Sequence, residues 1–170
     1  MRTSFVSALA LALVALAAPS RAEAQILHTT AAADVIAGLE GGGSGYASGV
    51  RRTRTMLRAG VEGYVDEQPL HWFGAGLLVE LEPRASFGAD VRYLLRFREN
   101  MVLHAGATAI LAPDNLIGAT VGYAYRLPLA KGVELNLNPL VNVFFLGGDL
   151  PKDTAIWQAT LSAGARIGLF

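Results

Sequence analysis

The chain has 170 residues, with 14 basic and 14 acidic side chains, no cysteine, 52% hydrophobic residues and a mean hydropathy of +0.38. The charge balance removes any net pull toward nucleic acid or an anionic surface, and the missing thiols exclude a disulfide framework, a thiolate metal site and a lipid on an N-terminal cysteine. Beyond residue 24 no stretch approaches 18 consecutive apolar residues, which excludes helical membrane spans and leaves the apolar content to follow another period.

Residues 1–24 carry the three parts of a secretory signal. Arg2 gives a basic start, and the apolar run from Phe5 to Ala18 is 14 residues long, short of the roughly 20 that a spanning helix needs. Ala22-Glu23-Ala24 then offers small residues where a signal peptidase reads, placing cleavage before Gln25. Residues 25–170 remain as a single domain of 146 residues with 12 basic and 13 acidic side chains, since Arg2, Arg21 and Glu23 leave with the signal.

The period in that domain is two, the signature of strands with one apolar face. A first strand is expected near 33–41, with Val35, Ala37 and Leu39 against Asp34 and Glu40. Residues 51–65 set Thr55, Leu57, Ala59, Val61 and Val65 against Arg54, Arg58, Glu62 and Tyr64, and 70–82 set Phe73, Ala75, Leu77, Val79 and Leu81 against Trp72, Gly74, Gly76, Glu80 and Glu82. The stretch 85–100 puts Phe87, Ala89, Val91, Tyr93, Leu95 and Phe97 on one parity, and Asp90, Arg92, Arg96 and Arg98 on the other. Four more such strands follow at 101–112, 116–127, 133–145 and 156–170, whose polar parities hold His104, Thr108, Thr120, Arg126, Glu134, three asparagines, Gln158 and Arg166.

Turn chemistry separates the strands at 66–69, 82–85, 98–100, 112–115 and 128–132, and only 41–50 and 146–155 are long connections. Eight strands joined by hairpins predict an all-β fold, an eight-stranded antiparallel up-and-down barrel. Three features turn its apolar face outward. The strands run to about 12 or 13 residues, against roughly 5 or 6 in ordinary soluble sheets and roughly 9 to 11 for a tilted bilayer crossing. Apart from Arg51 and Glu99 at the ends of their stretches, no Asp, Glu, Lys or Arg falls on the apolar parity, and its roughly 45 side chains would overfill a closed eight-stranded interior. The polar parity is rich in glycine and arginine, while Lys131 and Lys152 sit in connections, as suits a narrow lumen of small residues and paired charges. Phe73, Phe87, Tyr93, Phe97, Tyr123, Tyr125, Phe145 and Trp157 are therefore expected to face lipid, several as interfacial girdles.

With its signal, eight amphipathic strands and ending Arg-Ile-Gly-Leu-Phe, the chain resembles the small outer-membrane β-barrels of the OmpA/OmpX type. The resemblance implies a monomer in the bacterial outer membrane, with outer-membrane lipid and the barrel assembly machinery as partners. It implies periplasmic termini and Phe170 as the assembly signal, although Phe170 lies on the polar parity of its strand, one residue out of the usual register.

Charges in a narrow lumen are costly unless paired. The expected network comprises Glu40, Arg54, Arg58, Glu62, Glu80, Asp90, Arg92, Arg96, Arg126, Glu134 and Arg166. Strand adjacency pairs Glu40 with Arg54, Asp34 with Arg166 across the closing seam, and Arg126 with Glu134; Arg58, Glu80, Asp90 and Arg92 are expected to form one cluster nearer the outer half. His28, His71 and His104 have no Ser and Asp at a recognisable spacing, and GGGSG at 41–45 lacks the Gly-Lys-Ser/Thr of a phosphate loop. No catalytic residue, metal, cofactor or nucleic-acid partner is expected. A structural or surface-interaction role is the leading reading; a membrane-embedded lipid-modifying enzyme, a narrow gated pore and a soluble binding barrel are the alternatives.

Overall fold

The computed structural model describes residues 27–44, 49–65, 68–150 and 152–169. The signal segment and Phe170 lie outside the described residues.

Eight strands form: β1 (Leu27–Ser44), β2 (Gly49–Val65), β3 (His71–Glu82), β4 (Ser86–Arg98), β5 (Met101–Ala112), β6 (Leu116–Ala130), β7 (Val133–Leu146) and β8 (Thr154–Gly168). Each pairs antiparallel with the next, and β8 returns to β1 to close the barrel. Closure leaves no strand edge unpaired, which a lipid environment demands of backbone N–H and C=O groups. Most strands begin and end within a few residues of where the alternation places them. β1 and β6 run further, to 18 and 15 residues, because the β1 ladder already begins at Leu27, opposite Val65, and continues through Gly42, and that of β6 continues through Pro128.

Parity does the rest. Through the body of every strand pair the two residue numbers across the ladder are both even or both odd, for example Asp34 with Arg58, Gly76 with Asp90 and Asn136 with Gly164. The register shifts that break it, such as those at Glu40/Gly41, Phe87/Gly88 and Arg96/Arg98, lie near the ends of the ladders. One face of the sheet is therefore even-numbered all the way round, and it is the inner one. The buried side chains, from Asp34 to Arg166, are all even, while the exposed large hydrophobics on the strands are odd apart from Val50 and Leu146 at the rim.

The outside is an apolar belt in which Phe73 is 65% exposed, Leu77 69% and Val91 58%. A soluble domain rarely shows contiguous apolar surface on this scale. The eight outward aromatics divide by height. Phe73, Tyr93, Phe97, Tyr123 and Tyr125 lie toward the end that carries Leu27 and Leu169, and Phe87, Phe145 and Trp157 lie toward the other. Phe87 and Phe97 are ten steps apart on β4. At about 3.3 Å per step and a tilt of about 40°, that is roughly 25 Å of height, the thickness of the apolar band of an outer-membrane barrel.

Candidate functional site in the barrel lumen

The even parity delivers five arginines and five carboxylates to the lumen: Arg54, Arg58, Arg92, Arg126 and Arg166 with Asp34, Glu40, Glu62, Glu80 and Asp90, all buried. The equal numbers matter, because an unpaired ion in such a space costs several kcal/mol. Arginine suits the task better than lysine, since its planar fork meets two carboxylate oxygens at once.

Two networks result. Toward the loop end, Arg54 binds both Glu40 and Glu80, the latter at 2.5 Å. Arg52, at the rim, donates to Glu40 at 2.6 Å, Ser86 Oγ donates to Glu80 at 2.7 Å, and Gln158, itself bonded by Asn142, donates to Glu40 at 3.1 Å. Toward the terminal end, Arg58 holds Asp90 bidentately through Nε at 2.9 Å and Nη2 at 3.0 Å, and Arg92 reaches the same carboxylate at 2.5 Å. Arg58 also faces Asp34 at 3.5 Å and Glu62 at 4.0 Å. Arg166 then forks onto Asp34 and reaches Glu62 at 3.0 Å, and Arg126 closes on Glu62 at 2.5 Å.

The adjacency pairs of the sequence all lie in contact: Glu40 with Arg54, Asp34 with Arg166, and Arg126 with Glu134 at 3.6 Å. The expected cluster of four does not assemble as one. Glu80 belongs to the loop-end network with Arg54, whereas Arg58, Asp90 and Arg92 extend toward the terminal end through Asp34 and Glu62. Arg96 and Glu134 meet at 3.0 Å at the terminal mouth, each about a quarter exposed, rather than deep in the lumen. Arg98 does not point inward. The register shift at Arg96/Arg98 pairs it with Met101 and leaves it exposed, and Glu82 is likewise exposed at the opposite rim.

What sequence reasoning missed is the apolar half of the lumen. Trp72, Leu94, Val102 and Ala124 pack together with Tyr64 at the terminal end; Ile36, Met56 and Leu78 form a second cluster, and Ile110, Leu116 and Phe144 a third. Their signal was present, since every one of these buried residues has the inward, even parity. Trp72 also organises the terminal mouth. Tyr64 tilts against it at 4.4 Å, the Arg126 and Arg96 guanidiniums lie 5.4 and 5.8 Å from its ring, and its indole N–H donates to Pro69 O at 2.8 Å.

The histidines separate by environment. His28 stacks on Tyr64 at 4.7 Å. His71 meets the Tyr93 hydroxyl on the outer face, and His104 meets the Asn138 amide at 2.9 Å inside. Outside the barrel, Arg84 and Asp114 bridge two short connections in solvent. An exposed pair of this kind contributes little, so Arg84→Ala should leave the urea unfolding midpoint unchanged, in contrast to substitutions of the buried arginines.

No protein-family model matches the chain, and no curated protein matches it. Among solved structures, the crystal structure of Neisserial surface protein A is similar over 83% of this chain and 97% of its own, with 16% identity and a TM-score of 0.54. That of Ail, the attachment invasion locus protein of Yersinia pestis, in complex with the heparin analogue sucrose octasulfate, aligns over 82% of this chain and 99% of its own, with 8% identity and a TM-score of 0.47. The first likeness shows the fold, that of the small eight-stranded outer-membrane barrels.

Proposed function

We propose that this chain is an integral protein of the bacterial outer membrane, exported by residues 1–24 and working as a monomeric, non-enzymatic barrel with a structural or surface-interaction role. One observation carries the reading: buried charge lines the inside of a closed barrel whose outside is an apolar belt about as tall as a membrane's hydrocarbon region. Such a surface is stable only where water is absent, so lipid is its natural solvent. The outward residues Phe73, Phe87, Tyr93, Phe97, Tyr123, Tyr125, Phe145 and Trp157 are assigned to that lipid contact, and Phe170 to recognition by the assembly machinery.

The interior supports structure rather than passage or chemistry. Ion pairs and apolar clusters fill it together: spaces of about 230 and 540 Å³ open at the terminal mouth beside Arg166 and Trp72, and the cavity between the two networks measures about 20 Å³. That volume holds about one water molecule and no larger solute, which disfavours the pore reading. An enzymatic reading would place Ser or Asp beside a histidine; the hydrogen-bond partners of His71 and His104 are instead Tyr93 and Asn138. The expected long connection at 41–50 is shortened, because β1 runs to Ser44 and β2 begins at Gly49; 45–48 and 147–153 are what joins the strands there, and 147–153 is the longer surface offered to a partner.

Expression with its own leader in a diderm host tests this reading. The chain should appear in the outer-membrane fraction beginning at Gln25, resist extraction by alkaline carbonate and dissolve only in detergent. Epitopes placed in 45–48 and 147–153 should be reached by antibody on intact cells. Release into the soluble fraction by carbonate would end the membrane assignment.

A further inference from the structure

The two ion-pair networks do not touch through any described contact. Between them lies the 20 Å³ cavity, lined on its apolar side by Ile36, Met56, Leu78 and Phe144. Its polar lining comes from both networks: Arg92 from the terminal-end network, and Glu80, Ser86 and Gln158 from the loop-end one, with Asn142 and Thr108 beside them. Arg92 is buried at 7% exposure, and its Nη2 is committed to Asp90. Its Nε–H has no hydrogen-bond partner among the described residues. A buried guanidinium N–H left unpaired costs on the order of 1–3 kcal/mol or more, so this donor, on a side chain that lines the cavity, calls for an acceptor.

We propose that this cavity is a binding site for a single water molecule, which accepts from Arg92 Nε–H and donates to the carboxylate of Glu80 or the amide oxygen of Asn142. The volume exceeds the roughly 10–15 Å³ that one water requires. The wall offers one unpaired donor against several acceptors, which is the complement a water oxygen and its two protons satisfy. A small anion would also accept from Arg92, but the Glu80 carboxylate on the same wall repels it. The water joins the two networks into one hydrogen-bonded column across the apolar layer. Arg92 thereby gains a second partner, and the stabilities of the two halves of the lumen become coupled.

A crystal structure of the full chain refolded in lipid, at a resolution that shows waters, tests this. It should place one water within hydrogen-bond distance of both Arg92 Nε and Glu80 or Asn142, and the same water should be lost in the Arg92→Met variant. A dry cavity, Arg92 Nε bonded to a protein atom, or a water that stays in place in Arg92→Met overturns the proposal.

Discussion

Replacing Glu62 by alanine should destabilise the folded barrel by about 3–5 kcal/mol, the range for removing one member of a buried ion network. Glu62 is 2% exposed and is shared by Arg126 at 2.5 Å, Arg166 at 3.0 Å and Arg58 at 4.0 Å. Without it, the buried arginines Arg58, Arg92, Arg126 and Arg166 of the terminal-end network face only Asp34 and Asp90 as buried carboxylates among the described residues. The excess positive charge would be held on arginines that are all at most 7% exposed, so little solvent can screen it. Urea unfolding in lipid vesicles, followed by tryptophan fluorescence, reads the effect directly. A loss below about 1 kcal/mol would mean that the lumen is wet enough to behave as a surface, and the closed, structural interior would have to be abandoned.

The second large effect belongs to the outside. Ala107 sits in the middle of β5, outward, between Val91 and Ala119 on the neighbouring strands. Ala107→Arg should cost about 2–4 kcal/mol if that position lies near the bilayer midplane, whereas Leu129→Arg, at the terminal end of β6, should cost about 0–1 kcal/mol. The contrast is what matters. On a barrel whose outer face met water, both changes would fall within about 0.5 kcal/mol of neutral. Measured in vesicles, equal and small effects at the two positions would remove lipid from the exterior, while a depth-dependent cost would place the belt.

Much of this protein was legible before any coordinate. Strict alternation in Arg51–Val65 or Phe87–Phe97 fixes two faces, because a strand turns successive side chains to opposite sides. Short connections make neighbours in sequence neighbours in the sheet, so Glu40 with Arg54 and Arg126 with Glu134 were readable from adjacency. The separation of charge from apolar bulk on those faces also set which of them is inside.

Adjacency stops at the next strand, and the lumen does not. Arg58 reaches over β3 to Asp90, Arg126 on β6 crosses to Glu62 on β2, and Arg96 on β4 meets Glu134 on β7. Which groups share a height across a barrel depends on the stagger of all eight strands together, and no single hairpin encodes it. Glu80 joined Arg54 on the adjacent β2 rather than the cluster of Arg58 and Asp90 because the β2–β3 register sets it opposite Met56, and that register, like the end-of-strand shift that turned Arg98 outward, was invisible in the alternation itself. The apolar inner residues were misjudged differently. Ile36, Leu78 and Phe144 look like noise on a polar parity until closure brings them together with Met56, Ile110 and Leu116 as packing between the ion pairs. The sequence by itself determined the strands, their number and their two faces, since these follow from local period and turn spacing. Only the closed barrel decided which charges meet and where the lumen is sealed, because those contacts run across its interior.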